Sequence, residues 1–493
     1  MRICVTVTAD RMSDLRRRRD EAARAGADLV ELRLDGVGDL DVPGALEGRT
    51  GPVIVACHPA WEGGRFGGSE EERVRILTQA LALGADLVDI EWQADLAKVL
   101  DARMLGRVVL SHHTFDGLPA DLRERALAMQ AIGARVVKVA VTPRSLRDLL
   151  RLRQSGCVLE DGRKVLLAMG VVGWSTRLLP WRFGSAWTYA GGVSAVGQLS
   201  PSEMVEEFRC REVTRDAELY GVVGSPIAHS MSPVMHNAAF RALNRDAIYV
   251  PLESGDADDL LEFAKEMRFA GLSVTAPLKV PLFERADQVD ELSEGVGACN
   301  TLRFREGRVE ATNTDVAGFL APLERRGIRL EGLRAALVGA GGASRGVAFA
   351  LGSRGARVTI HARRPEQARQ TATATGASCG PWPPQSGSWD LLVNATPVGT
   401  LPRSEETPFL GPFEGAIVYD LVYNPPRSRL LREAAGAGCQ TIDGLEMLVA
   451  QACLQLEWWT GARAPEAAMR AAVERKLDLR ADGAGSQKLR AES

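Results

Sequence analysis

Lysine is scarce in this chain. Of 60 basic residues seven are lysines, and two of these, Lys138 and Lys279, stand among valine or proline neighbours. Arginine stays protonated near neutrality and serves neither as nucleophile nor as proton carrier, whereas the surroundings of a lysine amine can tune it to do either. Lys138 lies in RVVKVAV, which reads as a buried strand. Burial disfavours the ammonium by roughly 3 to 5 pKa units at full depth, so the sequence predicts a neutral amine able to add to a ketone. The structural alternative is a lysine whose stem packs while its head reaches solvent. The preceding strand ends SHHTF, one strand spacing away. His113 precedes the turn more directly, and His112 is expected to point to the opposite face. An imidazole titrates near working pH and suits proton abstraction beside an imine.

Lys279 follows SVTAPLK, and Asp315 ends ATNTD, each at a loop after a strand. Held close, the amine and carboxylate would tune each other and could pass a proton to a carbonyl undergoing reduction; in isolation the same pair is a plain salt bridge. Further along, LRAALVGAGGASRGVAFAL gives strand, glycine turn and helix. Gly339 and Gly341, followed by Gly342 and Ala343, let the backbone approach a pyrophosphate at the helix N-terminus, and Ser344 replaces the third glycine of the fingerprint. The next strand, VTIHARR, ends in Arg363 and Arg364 where a fold reading unphosphorylated ribose places an acid. Two arginines favour a 2′-phosphate, so NADP is the expected cofactor, with Arg345 a further phosphate contact.

The elements that must hold these groups are α/β throughout. Up to about residue 212, eight apolar strands (ICVTVTA, DLVELRLD, VIVACH, DLVDIEW, RVVLSHH, RVVKVAV, VLLAMGV, SAWTYAGG) alternate with charged helical stretches. That pattern predicts a parallel (β/α)8 barrel over 1–212 with its site at the strand C-terminal ends. Glu31, Arg33 and Asp35 alternate along one strand and share a face. A second α/β pattern follows: an α/β domain over 219–320, a Rossmann-type NADP domain over 321–445, helices over 446–478 returning to the 219–320 domain, and a tail over 479–493 expected to be disordered.

The chain's 493 residues carry a net charge of -3, which gives no electrostatic footprint for nucleic acid. Eight scattered cysteines lack the spacing of a zinc site and suit a reducing, cytoplasmic compartment; no metal is expected. The N-terminus runs directly into a strand, so no signal or transit segment is expected, and no apolar stretch is long enough to span a bilayer. Oligomeric state is not legible.

Across residues 1–212 the motifs ELRLD, EGG after a strand, S-x-H-x-F, VKVAVTP and SAVGQ, in that order, resemble the type I 3-dehydroquinate dehydratase family. The resemblance implies that Lys138 forms an imine with the substrate ketone, that His113 is the general acid/base, and that Glu31 orients it. It also implies that Arg33, Glu62, Arg177, Ser194 and Gln198 hold the substrate carboxylate and hydroxyls. His58 stands where the family usually has an arginine, and a binding or structural role is expected for it. From residue 219 to about 475, GSPIAHSMSP, GLSVTAPLK, GACNTL, NTD, GAGGASR, NATP and DGLEMLVAQ are similar to the shikimate dehydrogenase family. That resemblance implies that Lys279 and Asp315 are the catalytic pair. Ser230, Ser232, Thr275, Asn300, Tyr423 and Gln451 would hold the shikimate-type ring and carboxylate. Family members commonly have an asparagine where this chain has Ala362.

Together the two resemblances imply consecutive chemistry: dehydration of 3-dehydroquinate to 3-dehydroshikimate, then reduction to shikimate with NADPH. Two other readings stand beside it. One is a catabolic quinate or shikimate dehydrogenase fusion. The other is a quinate-responsive regulator without catalysis, which should have lost its lysines or histidine and gained a DNA-binding segment; Lys138, His113, Lys279 and Asp315 are all present.

Overall fold

The computed structural model describes residues 1–94, 104–193 and 196–491, with side chains described as far as residue 478. Its residues form two compact units. One comprises Met1–Leu219, Pro226–His229 and Asp246–Phe269, the other Tyr220–Ser225, Ser230–Arg245 and Ala270–Ser493.

In the first unit, eight strands form one parallel sheet: β1 (Ile3–Thr8), β2 (Leu29–Arg33), β3 (Val53–Ala56), β4 (Leu87–Glu91), β5 (Val108–Thr114), β6 (Val136–Val141), β7 (Lys164–Ala168) and β8 (Thr188–Gly191). Their order is β7-β6-β5-β4-β3-β2-β1-β8, and a bridge between Lys164 and Ser185 brings the two ends together, which makes the expected barrel. Each strand is buried along nearly its whole length, because helices cover one side and packed side chains fill the other. Cys4, Leu29, Ile54, Val109, Val136, Val165 and Tyr189 belong to one core cluster. Charged groups on these strands therefore find partners inside or stay unpaired.

Residues 246–269 fall in the first unit. They carry β10 (Ala247–Glu253), which follows β9 (Glu218–Gly224) in the chain, and the helix Ala257–Met267. Asp259, on this helix, is buried. Its carboxylate accepts from the backbone N–H groups of Leu146 at 3.0 Å and Arg147 at 2.7 Å, at the start of the barrel helix Leu146–Ser155.

The second unit holds β11 (Phe269–Val274), β12 (Gln288–Val289), β13 (Thr301–Arg305) and β14 (Arg308–Thr312) in the order β9-β11-β13-β14-β12. A separate six-stranded sheet follows, made of β15 (Arg334–Val338), β16 (Arg357–His361), β17 (Ser378–Cys379), β18 (Leu391–Asn394), β19 (Ile417–Asp420) and β20 (Gln440–Ile442). Its order, β17-β16-β15-β18-β19-β20, is parallel throughout and reverses direction beside β15, where α/β folds open a ligand crevice. The helix Gly444–Thr460 packs on Thr314–Arg325, and the last helix, Glu466–Ala491, packs on Ser232–Ala242. Among the described residues no helix is long and apolar enough to cross a membrane.

Candidate active sites

At the barrel mouth a cavity of 340 Å³ is lined by residues from most strands, among them Glu31, Arg33, His58, Glu62, His113 and Lys138. Lys138 projects inward from β6 and is 3 % exposed. Its Nζ donates to Asp89 Oδ2 at 2.5 Å, lies 3.6 Å from Glu31 Oε2, and sits 5.1 Å above the Tyr189 ring. Burial works to remove its proton, but the carboxylates of Asp89 and Glu31 outweigh burial and push the amine above its ordinary range. This corrects the expectation of a neutral resting amine. Asp89, although buried, is held well below the usual carboxylate range, chiefly by the Lys138 ammonium. Asp89 was missed by the sequence reading, yet a signal was there: Asp89 and Glu91 alternate in LVDIE as Glu31 and Arg33 do in LVELR.

His113, near the end of β5, faces Glu62. Glu62 Oε1 accepts from the His113 backbone N at 2.5 Å and lies 3.1 Å from Nδ1. A carboxylate only accepts, so Nδ1 carries the proton and Nε2 is left with a free lone pair. The orienting partner is thus Glu62, not Glu31 as expected. Glu31 instead serves Lys138, because β2 and β6 direct both side chains into the barrel, whereas the turn Ala60–Glu62 folds over the end of β5. Burial, followed by the charges of Lys138 and His58, pushes the His113 imidazole well below its ordinary pKa, and it rests neutral. Burial pushes Glu62 upward.

His58 lines the same cavity and meets the His113 ring edge-on, 5.1 Å between centroids. Its Nδ1 lies 2.6 Å from Glu91, which in turn pairs with the buried Arg73. The ring is thereby fixed against the His113 imidazole. His112 turns away, as its strand position requires, and takes Arg125 at 3.0 Å. Arg33 is engaged by Asp35 through two hydrogen bonds of 2.7 and 2.8 Å. Arg177 is different. Its guanidinium donates to the Tyr189 and Val196 carbonyls, and its buried Nε has no hydrogen-bond partner among the described residues. Burial without a carboxylate lowers it to about 10, which leaves an uncompensated cation at the cavity wall. Gln198 reaches Thr6 at 3.2 Å. Ser194 lies outside the described residues.

In the second unit, Lys279 opens the helix Lys279–Phe283 and hydrogen-bonds Asp315 in the first turn of Thr314–Arg325. Asn300 donates to the other Asp315 oxygen at 2.8 Å and to Thr314 at 3.0 Å. Asn313 caps the helix by accepting from Asp315 N at 3.1 Å. The pair is therefore held from three sides while Lys279 remains 29 % exposed at its side chain. Thr275 precedes the lysine by one turn; its methyl fills the space where a Cβ on Gly224 would come within 2.3 Å. Ser230 accepts from Ser232 N at 3.2 Å, which shapes the loop entering Ser232–Ala242. Gln451 is buried, its amide turned to Leu448 O at 2.8 Å, and Tyr423 is half-buried in the loop after β19. Gln455 was missed by sequence: its amide spans Asn300 O at 3.2 Å and Thr301 at 3.0 Å, and its oxygen accepts from Ser273 at 2.7 Å. It ties β11 and β13 together behind Asn300.

The glycine turn leaves β15 with Gly339 at φ +117° and enters the helix Gly342–Ser353. A cavity of 740 Å³ beside it is lined by Gly339, Gly341, Ala362, Arg363 and Arg364. A side chain added at Gly341 or Gly342 would meet nothing within 4 Å, so the space above the turn is open. That open cradle with two arginines fits a phosphorylated dinucleotide. Gly342 and Ala343 are exposed at the helix start, but Ser344 is fully buried under the turn, where a Cβ on Gly339 would stand 3.1 Å from its Oγ. Ser344 thus packs helix on strand rather than facing a cofactor, because the third position of the fingerprint points inward. Arg345 is exposed outside the cavity lining.

Comparison with known proteins matches this geometry half by half. Residues 3–215 match the family model of type I 3-dehydroquinase, 222–302 that of the shikimate dehydrogenase substrate binding domain, and 444–474 that of the shikimate 5′-dehydrogenase C-terminal domain. A bifunctional 3-dehydroquinate dehydratase/shikimate dehydrogenase of Arabidopsis thaliana, chloroplastic, is 33% identical over 94% of this chain and 83% of its own length. A shikimate dehydrogenase (NADP(+)) of Methanopyrus kandleri is 39% identical over 53% of this chain and 97% of its length. A crystal structure of a shikimate dehydrogenase in complex with NADP+ superposes with a TM-score of 0.51 at 30% identity, covering 54% of this chain and 97% of that one. With a barrel that presents a buried lysine beside a carboxylate-held histidine, and a following unit that presents a lysine–aspartate pair and a dinucleotide cradle, the chain belongs to the bifunctional 3-dehydroquinate dehydratase/shikimate dehydrogenase family.

Proposed function

We propose that the barrel, read as 1–212, dehydrates 3-dehydroquinate through an imine on Lys138, and that the following residues to about 478 reduce the product to shikimate with NADPH. The observation that supports this best is the placement of Lys138, Asp89, Glu31 and the Glu62-held His113 around one cavity.

Lys138 rests as an ammonium. As the ketone approaches, its proton leaves along the hydrogen bond to Asp89, and the freed amine adds to the carbonyl. Asp89 then returns the proton to the hydroxyl of the addition product, which departs as water, and the iminium that results carries the same charge in the same place. Asp89 and Glu31 stabilise that cation without rearranging. The free Nε2 of His113 takes the proton from C2 of the substrate and returns it to the C1 hydroxyl, which leaves as water. Hydrolysis of the imine releases 3-dehydroshikimate and restores Lys138. The unpaired face of Arg177 suits the substrate carboxylate, and Arg33, Gln198 and Ser194 are assigned to hydroxyls and carboxylate by the family pattern.

In the second reaction NADPH, when bound, supplies hydride to the ketone carbon. Lys279 hands a proton to the carbonyl oxygen, and Asp315, fixed by Asn300, keeps the amine aligned. Ser230, Ser232, Thr275, Tyr423 and Gln451 are assigned to the ring and carboxylate. Gly341, Gly342, Arg363 and Arg364 would hold the dinucleotide, the arginines at its 2′-phosphate. The eight cysteines are all free thiols, which supports a reducing, cytoplasmic setting.

Borohydride reduction of the protein incubated with 3-dehydroquinate tests the first half. A single covalent adduct on the peptide containing Lys138 is expected. An adduct elsewhere, or none in an active preparation, would sink the imine mechanism.

A further inference from the structure

The dinucleotide cavity has a wall that neither the glycine turn nor the arginine pair explains. Trp382 lines it together with Ala362, Arg363, Arg364 and Gln367, and this large apolar side chain is 37 % exposed. An indole left in water beside a cavity forgoes the burial that normally stabilises it. Its position is fixed by its neighbours rather than by its own packing. His361, buried at the end of β16, has Nδ1 2.6 Å from the Pro381 carbonyl; that oxygen only accepts, so Nδ1–H donates. Gly380 N donates to Ile360 O at 3.0 Å, and a Cβ at Gly380 would stand 2.4 Å from the His361 ring, so the loop can lie this close only with glycine there. Two hydrogen bonds and one close approach thus pin the segment carrying Trp382 to the strand that ends in Arg363 and Arg364.

Resting on the NADP reading of this cavity, we propose that Trp382 is the adenine platform of the site. The indole stacks on the base while Arg363 and Arg364 take the 2′-phosphate. The proposal supplies what Ala362 cannot, since a methyl group offers the adenosine neither a hydrogen bond nor a π-face. Every base has a π-face, so stacking adds affinity, and the arginine pair supplies the discrimination for phosphate.

Calorimetric titration of the full-length protein with adenosine 2′,5′-bisphosphate tests this without turnover, comparing the parent, Trp382→Ala and Trp382→Phe. Losing a base–aromatic stack should raise Kd about 10-fold or more in the alanine variant, while the phenylalanine variant stays within about threefold of the parent. Hypochromism of the adenine absorption band should accompany binding in the parent and Trp382→Phe and be absent in Trp382→Ala. An alanine variant that binds as the parent does, or a phenylalanine variant no better than alanine, overturns the platform but leaves the NADP reading standing. A parent protein that binds neither this probe nor NADP+ overturns both.

Discussion

At Lys138 two effects of opposite sign compete. Burial favours the neutral amine, while Asp89 and Glu31 favour the ammonium and prevail. The same ammonium acts on its neighbour: after burial, it is the largest influence that keeps His113 unprotonated. The site therefore separates its two basic groups, one held charged and one held neutral, as acid–base chemistry at a single pH requires. The sign for pH dependence follows. A histidine whose pKa is depressed keeps its basic form to lower pH, so the acid limb of kcat/KM for dehydration, which reports the free enzyme, should lie below about 6.5. Glu62→Ala should lower kcat by about 10²- to 10⁴-fold, because the imidazole loses the acceptor that fixes its tautomer, with little change in KM. An acid limb at or above the ordinary histidine value, measured over a pH series, would show that His113 is not the buried neutral base.

The elements place these groups through backbone contacts that a linear reading registers unevenly. Helix Leu146–Ser155 follows directly from β6, which carries Lys138, and its first N–H groups are taken by Asp259, a residue over a hundred positions away. Asp259→Ala should leave two N–H groups without an acceptor and lower the stability of the first unit by about 1 to 3 kcal/mol, whereas Asp259→Asn, which keeps one acceptor, should lose less. The urea midpoint for loss of dehydration measures this; equal midpoints for all three proteins would refute the capping role. Apolar runs of period and length suited to strands made the eight barrel strands legible, and the glycine turn revealed the start of the dinucleotide unit. Lys138, His113, Lys279 and Asp315 were legible because their residue types are chemically distinctive in apolar or loop surroundings. Asp89, Glu62 as the partner of His113, Gln455 and Asp259 were not, since each is defined by a pairing across strands or helices that sequence order does not contain. Glu31 was drawn to the wrong partner for the same reason: strand alternation gives its face but not which side chain meets it across the barrel.

At the scale of the molecule, each set of groups proposed to react falls within one unit: Lys138, Asp89, Glu31, Glu62 and His113 in the first, Lys279, Asp315, Asn300 and the dinucleotide cradle in the second. Substitutions with no shared partners act additively. Lys138→Ala should therefore abolish dehydration of 3-dehydroquinate yet still oxidise NADPH when 3-dehydroshikimate is supplied. Lys279→Ala should slow that reduction by about 10²- to 10⁴-fold, the scale of a lost proton donor, and still form the enone from 3-dehydroquinate. An equimolar mixture of the two variants should then convert 3-dehydroquinate to shikimate, followed as NADPH consumption, because the intermediate made on one protein can diffuse to the other. A mixture that stays inactive while each variant keeps its own half-reaction would show that the two reactions depend on sharing a chain. Loss of both half-reactions in either single variant would show that the lysines support the fold rather than the chemistry.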